Sequence, residues 1–289
     1  MNKPKILVAG ANGLNGRSLL GELSANGIPA RAMVRNTAHA ASLKNETTEI
    51  VQADLTNRDS IKNALAGIEL AYIVTSIHPD SVSLFNNFYM AAKDANVQHV
   101  IKLSGVGASI DSKSEILRQH YLSDELLINS GLNFTIIQPN SFFQNILWQK
   151  KSIRIKGRVG MLLADAKQSF VDIRDVAEAT IQIFKDKKHL NKIYQLTGPD
   201  AISGNDIALE LSEVLNKTIK YKPISSAFAK QEMLAGGVSE WNATALTEIQ
   251  EVFAAGTFAE TTNDLELILN KKPRNLRCFL EDYKIEFCD

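Results

Sequence analysis

The sequence predicts a doubly wound α/β fold, a parallel sheet covered on both faces by helices, with a smaller, mostly helical C-terminal lobe. Three observations carry that expectation. Short β-rich runs alternate with helical patterns through the first two thirds of the chain. The first strand runs into a glycine-rich turn, Gly10-Ala11-Asn12-Gly13-Leu14-Asn15-Gly16, that opens directly onto a helix. After Gly198-Pro199 the alternation stops and helical patterns alone remain.

The predicted strands are Lys5 to Ala9, Ile28 to Val34, Thr48 to Gln52, Leu70 to Thr75, Val97 to Ser104, Leu132 to Gln138 and Lys192 to Leu196. Helices are expected between them near 14–26, 57–66, 81–95, 114–130, 142–150 and 174–186. The segment 81–95 is representative: Val82, Phe85, Tyr89 and Ala92 recur at helical spacing, with Leu84, Phe88, Ala91 and Ala95 on the adjoining stripe. Such a helix packs against a sheet. Further helices are expected near 203–216, 226–235, 238–255, 260–270 and 276–284. Domain boundaries follow at 1–198 for the sheet domain and 199–289 for a lobe docked on it, since no low-complexity tract or long linker separates them.

Composition narrows the class. With 45% hydrophobic and 22% charged residues the 289-residue chain can bury a full core. Lys and Arg balance Asp and Glu at 32 each, so no global field draws the protein to nucleic acid or to an anionic membrane, and a small-molecule partner is expected. The N-terminus reaches its glycine loop too soon for a signal sequence, and no stretch approaches the ~20 apolar residues of a spanning helix. Cys278 and Cys288 have nothing at metal-ligand spacing around them and read as free thiols of a cytoplasmic protein. No metal is expected, and a homodimer is compatible with the sequence.

The glycine loop supplies what a dinucleotide's diphosphate needs: a sharp turn, close backbone approach, and a helix N-terminus with unpaired N–H groups. The spacing is G-x-x-G-x-x-G rather than G-x-G-x-x-G. Roughly twenty residues on, where a carboxylate would grip the ribose of NAD, the second strand ends in Arg35. A guanidinium there can pair with a 2′-phosphate, which favours NADP(H); the plainer reading is a solvated charge. Arg17 is a second phosphate candidate. Asp54, with Leu55 beside it, closes the third strand, either to accept a hydrogen bond from adenine or to start a turn. Thr75 and Ser76 end the fourth strand and Ser104 the fifth, at the edge where ligands of such folds bind.

These residues resemble the NmrA-like family of atypical short-chain dehydrogenases/reductases, particularly its quinone-oxidoreductase and triphenylmethane-reductase-like members. The resemblance rests on Val8 to Gly16, Val34-Arg35, His99 to Ser104, Ser130 to Asn140, Phe142 to Asn145, Val171 to Ala177 and Tyr194 to Pro199. It implies a Rossmann-type, NAD(P)-binding domain in which Gly10, Asn12, Gly13, Leu14, Asn15, Gly16 and Arg35 hold the adenosine and diphosphate. Thr75, Ser76, Pro139 and Asn140 would then lie along the nicotinamide. Family members often carry arginine before that proline, where this chain has Gln138.

Catalysis departs from the pattern of typical short-chain dehydrogenases. Their Tyr-x-x-x-Lys pair would fall in His120-Tyr121-Leu122-Ser123-Asp124-Glu125, which has no lysine one turn along. A literal match at Tyr89-Met90-Ala91-Ala92-Lys93 precedes the fifth strand and reads as accidental. Without the pair, reduction of a ketone to a basic alkoxide is disfavoured, whereas quinones and cationic dyes need little or no proton donation. His120 is the candidate catalytic group, as proton donor or hydrogen-bond partner, against a purely structural role. His78, Phe142 and Phe143 are candidates for the substrate pocket, with Trp148 extending an aromatic wall; core packing is the competing reading. The expected function is an NADPH-dependent oxidoreductase acting on a quinone or similar planar acceptor. The alternative is a non-catalytic NADP(H) sensor working through a protein partner.

Overall fold

The computed structural model describes residue 3 and residues 5–288. In chain order the elements are β1 (Ile6–Ala9), α1 (Leu14–Ala25), β2 (Ala30–Val34), β3 (Thr48–Gln52), α2 (Arg58–Ala64), β4 (Leu70–Ile73), α3 (Ser81–Asp94), β5 (His99–Leu103), α4 (Glu115–Ile128) and β6 (Phe134–Pro139). They continue with α5 (Lys150–Lys156), β7 (Arg158–Met161), α6 (Ile173–Lys185), β8 (Lys192–Leu196), α7 (Gly204–Leu215), β9 (Lys220–Pro223), α8 (Ser226–Ala235), α9 (Glu240–Ala254), α10 (Asp264–Leu269), α11 (Leu276–Asp282) and α12 (Lys284–Phe287).

Seven strands form one sheet in the order β3-β2-β1-β4-β5-β6-β8, the doubly wound arrangement the sequence predicts. The chain leaves β1 toward β3 on one side, then returns to place β4 on the other. Ala9 is therefore in parallel register with both Met33 and Ile73, and the ends of β1 and β4 form the switch point where such sheets bind ligands. β1 is buried along its whole length, as a central parallel strand must be.

By contacts the chain divides into two compact units. The first comprises Met1–Ile110, Gln119–Gln138 and Val176–Tyr194; the second comprises Asp111–Arg118, Pro139–Asp175 and Gln195–Asp289. In the first unit, Leu7, Ala9, Ala71 and Ile73 of the sheet meet Ile61 and Ala64 of α2 and Phe85, Phe88 and Tyr89 of α3. Of the apolar positions foreseen on α3, Phe85, Phe88, Tyr89, Ala91 and Ala92 are buried, while Val82, Leu84 and Ala95 are half-buried. In the second unit, Phe143, Ile153, Val159, Phe170, Ile207, Leu211 and Phe279 form a separate core.

Two expectations need correction here. The region beyond Gly198 is not helical throughout, because β9 pairs in parallel with β7 in a small two-stranded ribbon. Both strands span only four residues, and Lys-Tyr-Lys-Pro offers no apolar alternation to signal one. The helix expected at 142–150 is a 3₁₀ turn over Phe143–Gln149 that passes into α5 and ends at Gly157, whose φ of 57° lies in the left-handed region.

Candidate functional site

The loop after β1 is built by close approach. Gly10 has φ +79°, and a side chain there would fall on the carbonyl oxygen of Val74 beyond β4. A Cβ at Gly16 would meet the Gly10 carbonyl and the Cα of Ala11. The loop is tied by a hydrogen bond from Gly13 N–H to the Gly10 carbonyl, 3.0 Å. Gly13 is the N-cap of α1 and no side chain caps that helix, so its first N–H groups, beginning at Leu14, lack protein acceptors.

Within this cradle the side-chain amide oxygens of Asn12 and Asn15 are buried without a hydrogen-bond partner. A buried polar atom left this way costs about 1–3 kcal/mol, which a ligand hydroxyl could recover; turned over, the same amides would offer N–H to a phosphate. The uncapped helix end, the close glycines and the two unpartnered amides fit a dinucleotide diphosphate with its ribose. Arg17 spans the loop, its Nε donating to the Asn12 carbonyl at 2.8 Å and Nη1 to Ser42 Oγ at 2.6 Å.

Arg35 follows β2 with its side chain exposed and makes no hydrogen bond among the described residues. Asp54 turns the chain after β3: its Oδ1 accepts from both the N–H and the hydroxyl of Thr56, at 2.8 Å each. Those bonds hold its carboxyl below the usual range, with a smaller pull from the Arg35 charge. The turn reading of Asp54 thus accounts for Oδ1. Leu55 is half-buried against the first core, and its carbonyl accepts from Asn87 at 3.0 Å. Thr75 is half-buried and Ser76 exposed beyond β4. His78 is exposed, with Nδ1 accepting from the Asp80 N–H at 3.1 Å.

At the end of β5 lies a group the sequence reading missed. Lys102 is wholly buried; its ammonium pairs with Asp124 of α4, donates to the His120 carbonyl at 3.1 Å, and sits 4.7 Å from the centre of the Phe85 ring. The Ser104 hydroxyl donates to Asp124 Oδ2 at 2.7 Å, and Gln138 reaches the same oxygen at 3.4 Å. Burial pushes Lys102 down to about 8 despite the opposing pull of Asp124. The available signal was a lysine in an otherwise apolar strand, His99-Val100-Ile101-Lys102-Leu103, since such a charge requires a counter-charge.

Several expected roles change with these contacts. His120 is no imidazolium donor: burial first, then the Lys102 charge, holds it well below its ordinary pKa, so it is neutral near pH 7. Ser104 is buried and spends its hydroxyl proton on Asp124 rather than facing outward. In the second unit, Asn140 is buried and fully engaged, its Nδ2 donating to Ser169 Oγ and the Phe258 carbonyl and its Oδ1 accepting from Ser141 N–H. Pro139 is buried at the end of β6.

Phe143 is core rather than pocket wall, stacked between Phe170 and Phe279 with centroids at 6.2 and 5.6 Å. Phe142 is half-buried and bridges to Val171, while Trp148 is exposed, so the three aromatics form no common wall. The Tyr89–Lys93 match is structural: Tyr89 is buried in α3, and Lys93 donates to the Ser130 carbonyl at 2.8 Å. Among the described residues, no group of three or more His, Cys, Asp or Glu side chains could hold a metal.

In sequence and in fold the chain is similar to known proteins. The chain is 30% identical to an NAD(P)H azoreductase of Xenophilus azovorans over 98% of its length and 99% of that protein. The Escherichia coli NADPH-dependent quinone oxidoreductase QOR2, solved with NADPH, superposes with a TM-score of 0.86 at 23% identity, covering 96% of this chain and 99% of that one. The negative transcriptional regulator NmrA, solved with NADP, superposes at 0.78 and 20% identity, covering 99% and 97%. The profile of the NmrA-like family matches residues 2–281, and the chain belongs to that family.

Proposed function

We propose that this protein binds NADP(H) through its first unit and reduces a quinone, azo compound or similar planar electron acceptor. The observation that carries the reading is the pair of buried, unpartnered amide oxygens of Asn12 and Asn15, set beside an uncapped helix start in a loop whose Gly10 and Gly16 pack directly on neighbouring backbone. The name of the azoreductase relative, which shares nearly the whole chain, supports the same chemistry.

In this reading Asn12 and Asn15 bind the diphosphate side of the dinucleotide, and the start of α1 offers it N–H groups and a positive dipole end. Arg35 takes the 2′-phosphate, its guanidinium being committed to no hydrogen bond among the described residues. The bound nicotinamide would supply the hydride. His120, neutral near pH 7, is no strong acid but keeps one ring N–H with which to hydrogen-bond an acceptor atom; Ser104 is held in place by the Lys102–Asp124 pair. Such a site suits acceptors whose reduced form is a weak base that water can protonate, which is why planar quinone-like and azo substrates fit better than ketones.

The test is to mix purified protein with NADPH and a panel of quinones, azo dyes and triphenylmethane dyes and to follow the reduced cofactor's absorbance. Consumption above the uncatalysed rate is expected. Tight NADPH binding without turnover on any acceptor would overturn the enzyme reading in favour of a sensor, and the absence of binding would overturn both.

A further inference from the structure

The chain carries no net charge, yet the second unit gathers cations on one set of neighbouring elements. From α5 into β7 the sequence reads Lys150-Lys151-Ser152-Ile153-Arg154-Ile155-Lys156-Gly157-Arg158, five cations and no acid. Beside it runs Lys217-Thr218-Ile219-Lys220-Tyr221-Lys222-Pro223, again without an acid. The two segments are locked together: Lys217 Nζ donates to the Arg154 carbonyl at 2.7 Å, Lys220 N–H to the Gly157 carbonyl at 2.9 Å, and Arg158 stands in register with Lys220. α12 packs on α5 and adds Lys284, while its Glu286 pairs with Lys150 at 3.1 Å. All of these cationic side chains are exposed.

Large apolar side chains stand out among them. Trp148 just before α5 is 73% exposed, Ile155 on α5 is 68% and Ile285 on α12 is 82%. Cations alone would suit any polyanion. Exposed Trp148 and Ile155 beside cations, with Ile285 between Lys284 and the Lys150-paired Glu286, match the interface of a bilayer, where apolar groups enter the headgroup region and lysines meet lipid phosphates. Among the described residues no helix is long and apolar enough to cross a membrane, so the association would be peripheral.

We propose that this face of the second unit docks the protein on an anionic phospholipid surface, with Trp148, Ile155 and Ile285 as the inserting groups. The inference is independent of the cofactor reading, since none of these residues belongs to the glycine loop.

Flotation with vesicles of phosphatidylcholine, with and without phosphatidylglycerol, tests it. Binding is expected only with the anionic lipid and weakens as salt is raised. In a Trp241→Phe background, the emission of Trp148 should shift to the blue on binding. Lys151→Gln combined with Lys156→Gln should weaken partitioning about thirtyfold. Ile155→Ser with Ile285→Ser should weaken it while leaving the salt dependence in place. The four positions are exposed, so circular dichroism and NADPH affinity should be unchanged. Equal binding to neutral vesicles, no binding, or binding without the spectral shift would overturn the proposal. So would a duplex oligonucleotide that binds as tightly and competes with the vesicles, which would mark a polyanion site instead.

Discussion

The carboxyl ends of β1 and β5 are built in opposite ways from the same material. Beyond β1, two buried amide oxygens have no partners, a helix start goes uncapped, and Gly10 and Gly16 let backbone approach backbone closely. At the end of β5, a buried ammonium, a carboxylate, a hydroxyl and a carboxamide satisfy one another. Both are polar and buried, but only the first retains hydrogen-bonding capacity for something else. Tyr89, Ser114 and Gln168 also hold buried atoms without partners, so it is the conjunction with an uncapped helix start at the sheet's switch point that suits the first to a ligand, whereas a closed network marks structure or the support of a site.

The sharpest way to break the comparison is to open the closed network. Asp124→Ala leaves the Lys102 charge buried without a counter-charge, and denaturant unfolding should register a loss of about 3–5 kcal/mol. Lys102→Met with Asp124→Leu should recover most of it. If the double variant is no better than the single one, the pair is not the stabilising unit described here.

A second probe uses the other end of the same strand. His99 Nε2 lies 2.8 Å from Thr135 Oγ1, whose proton goes to the His189 carbonyl, so the ring nitrogen is the donor. Burial first, then His189, lowers its pKa from 6.5 to about 4. The unfolded chain therefore takes up a proton that the folded one refuses. The His99 contribution should be constant above pH 6.5 and fall as pH descends toward 4, by up to about 3 kcal/mol. Thermal unfolding of His99→Gln across that window should show a shallower decline than the parent.

The open side yields smaller effects, read in binding. Arg35→Ala should lower NADPH affinity about tenfold to a hundredfold and leave NADH nearly unchanged by calorimetry. Equal weakening of both cofactors would remove the argument for 2′-phosphate recognition. Asn15→Ala should go in two directions: without cofactor the protein gains up to about 1 kcal/mol, because an unsatisfied buried atom disappears, while NADPH binds about tenfold more weakly. A variant that lost stability in the absence of cofactor would show that the amide already has its partner.

Much of the seven-stranded sheet was legible because its signals are local. Thr48–Gln52 and Lys192–Leu196 begin and end where the β-rich runs do, and the stripe Phe85, Phe88, Tyr89, Ala92 faces the core. The glycine loop could be read because its shape needs particular residues at fixed offsets. What escaped depends on partners distant in sequence. β9 forms only because Arg158 to Met161 lie alongside it, some sixty residues earlier in the chain. Lys102 and Asp124 are separated by an entire strand-to-helix connection that no periodicity spans. Phe143 reads like a pocket aromatic until Phe170 and Phe279 close on it.

The burial of Lys102 has an experimental use. Shielded from water by Phe85 and tethered to α4, its amine should resist acylating reagents that modify the surface lysines within seconds. Its slow labelling would therefore time the transient openings of the sheet, an internal clock placed by the protein's own sequence.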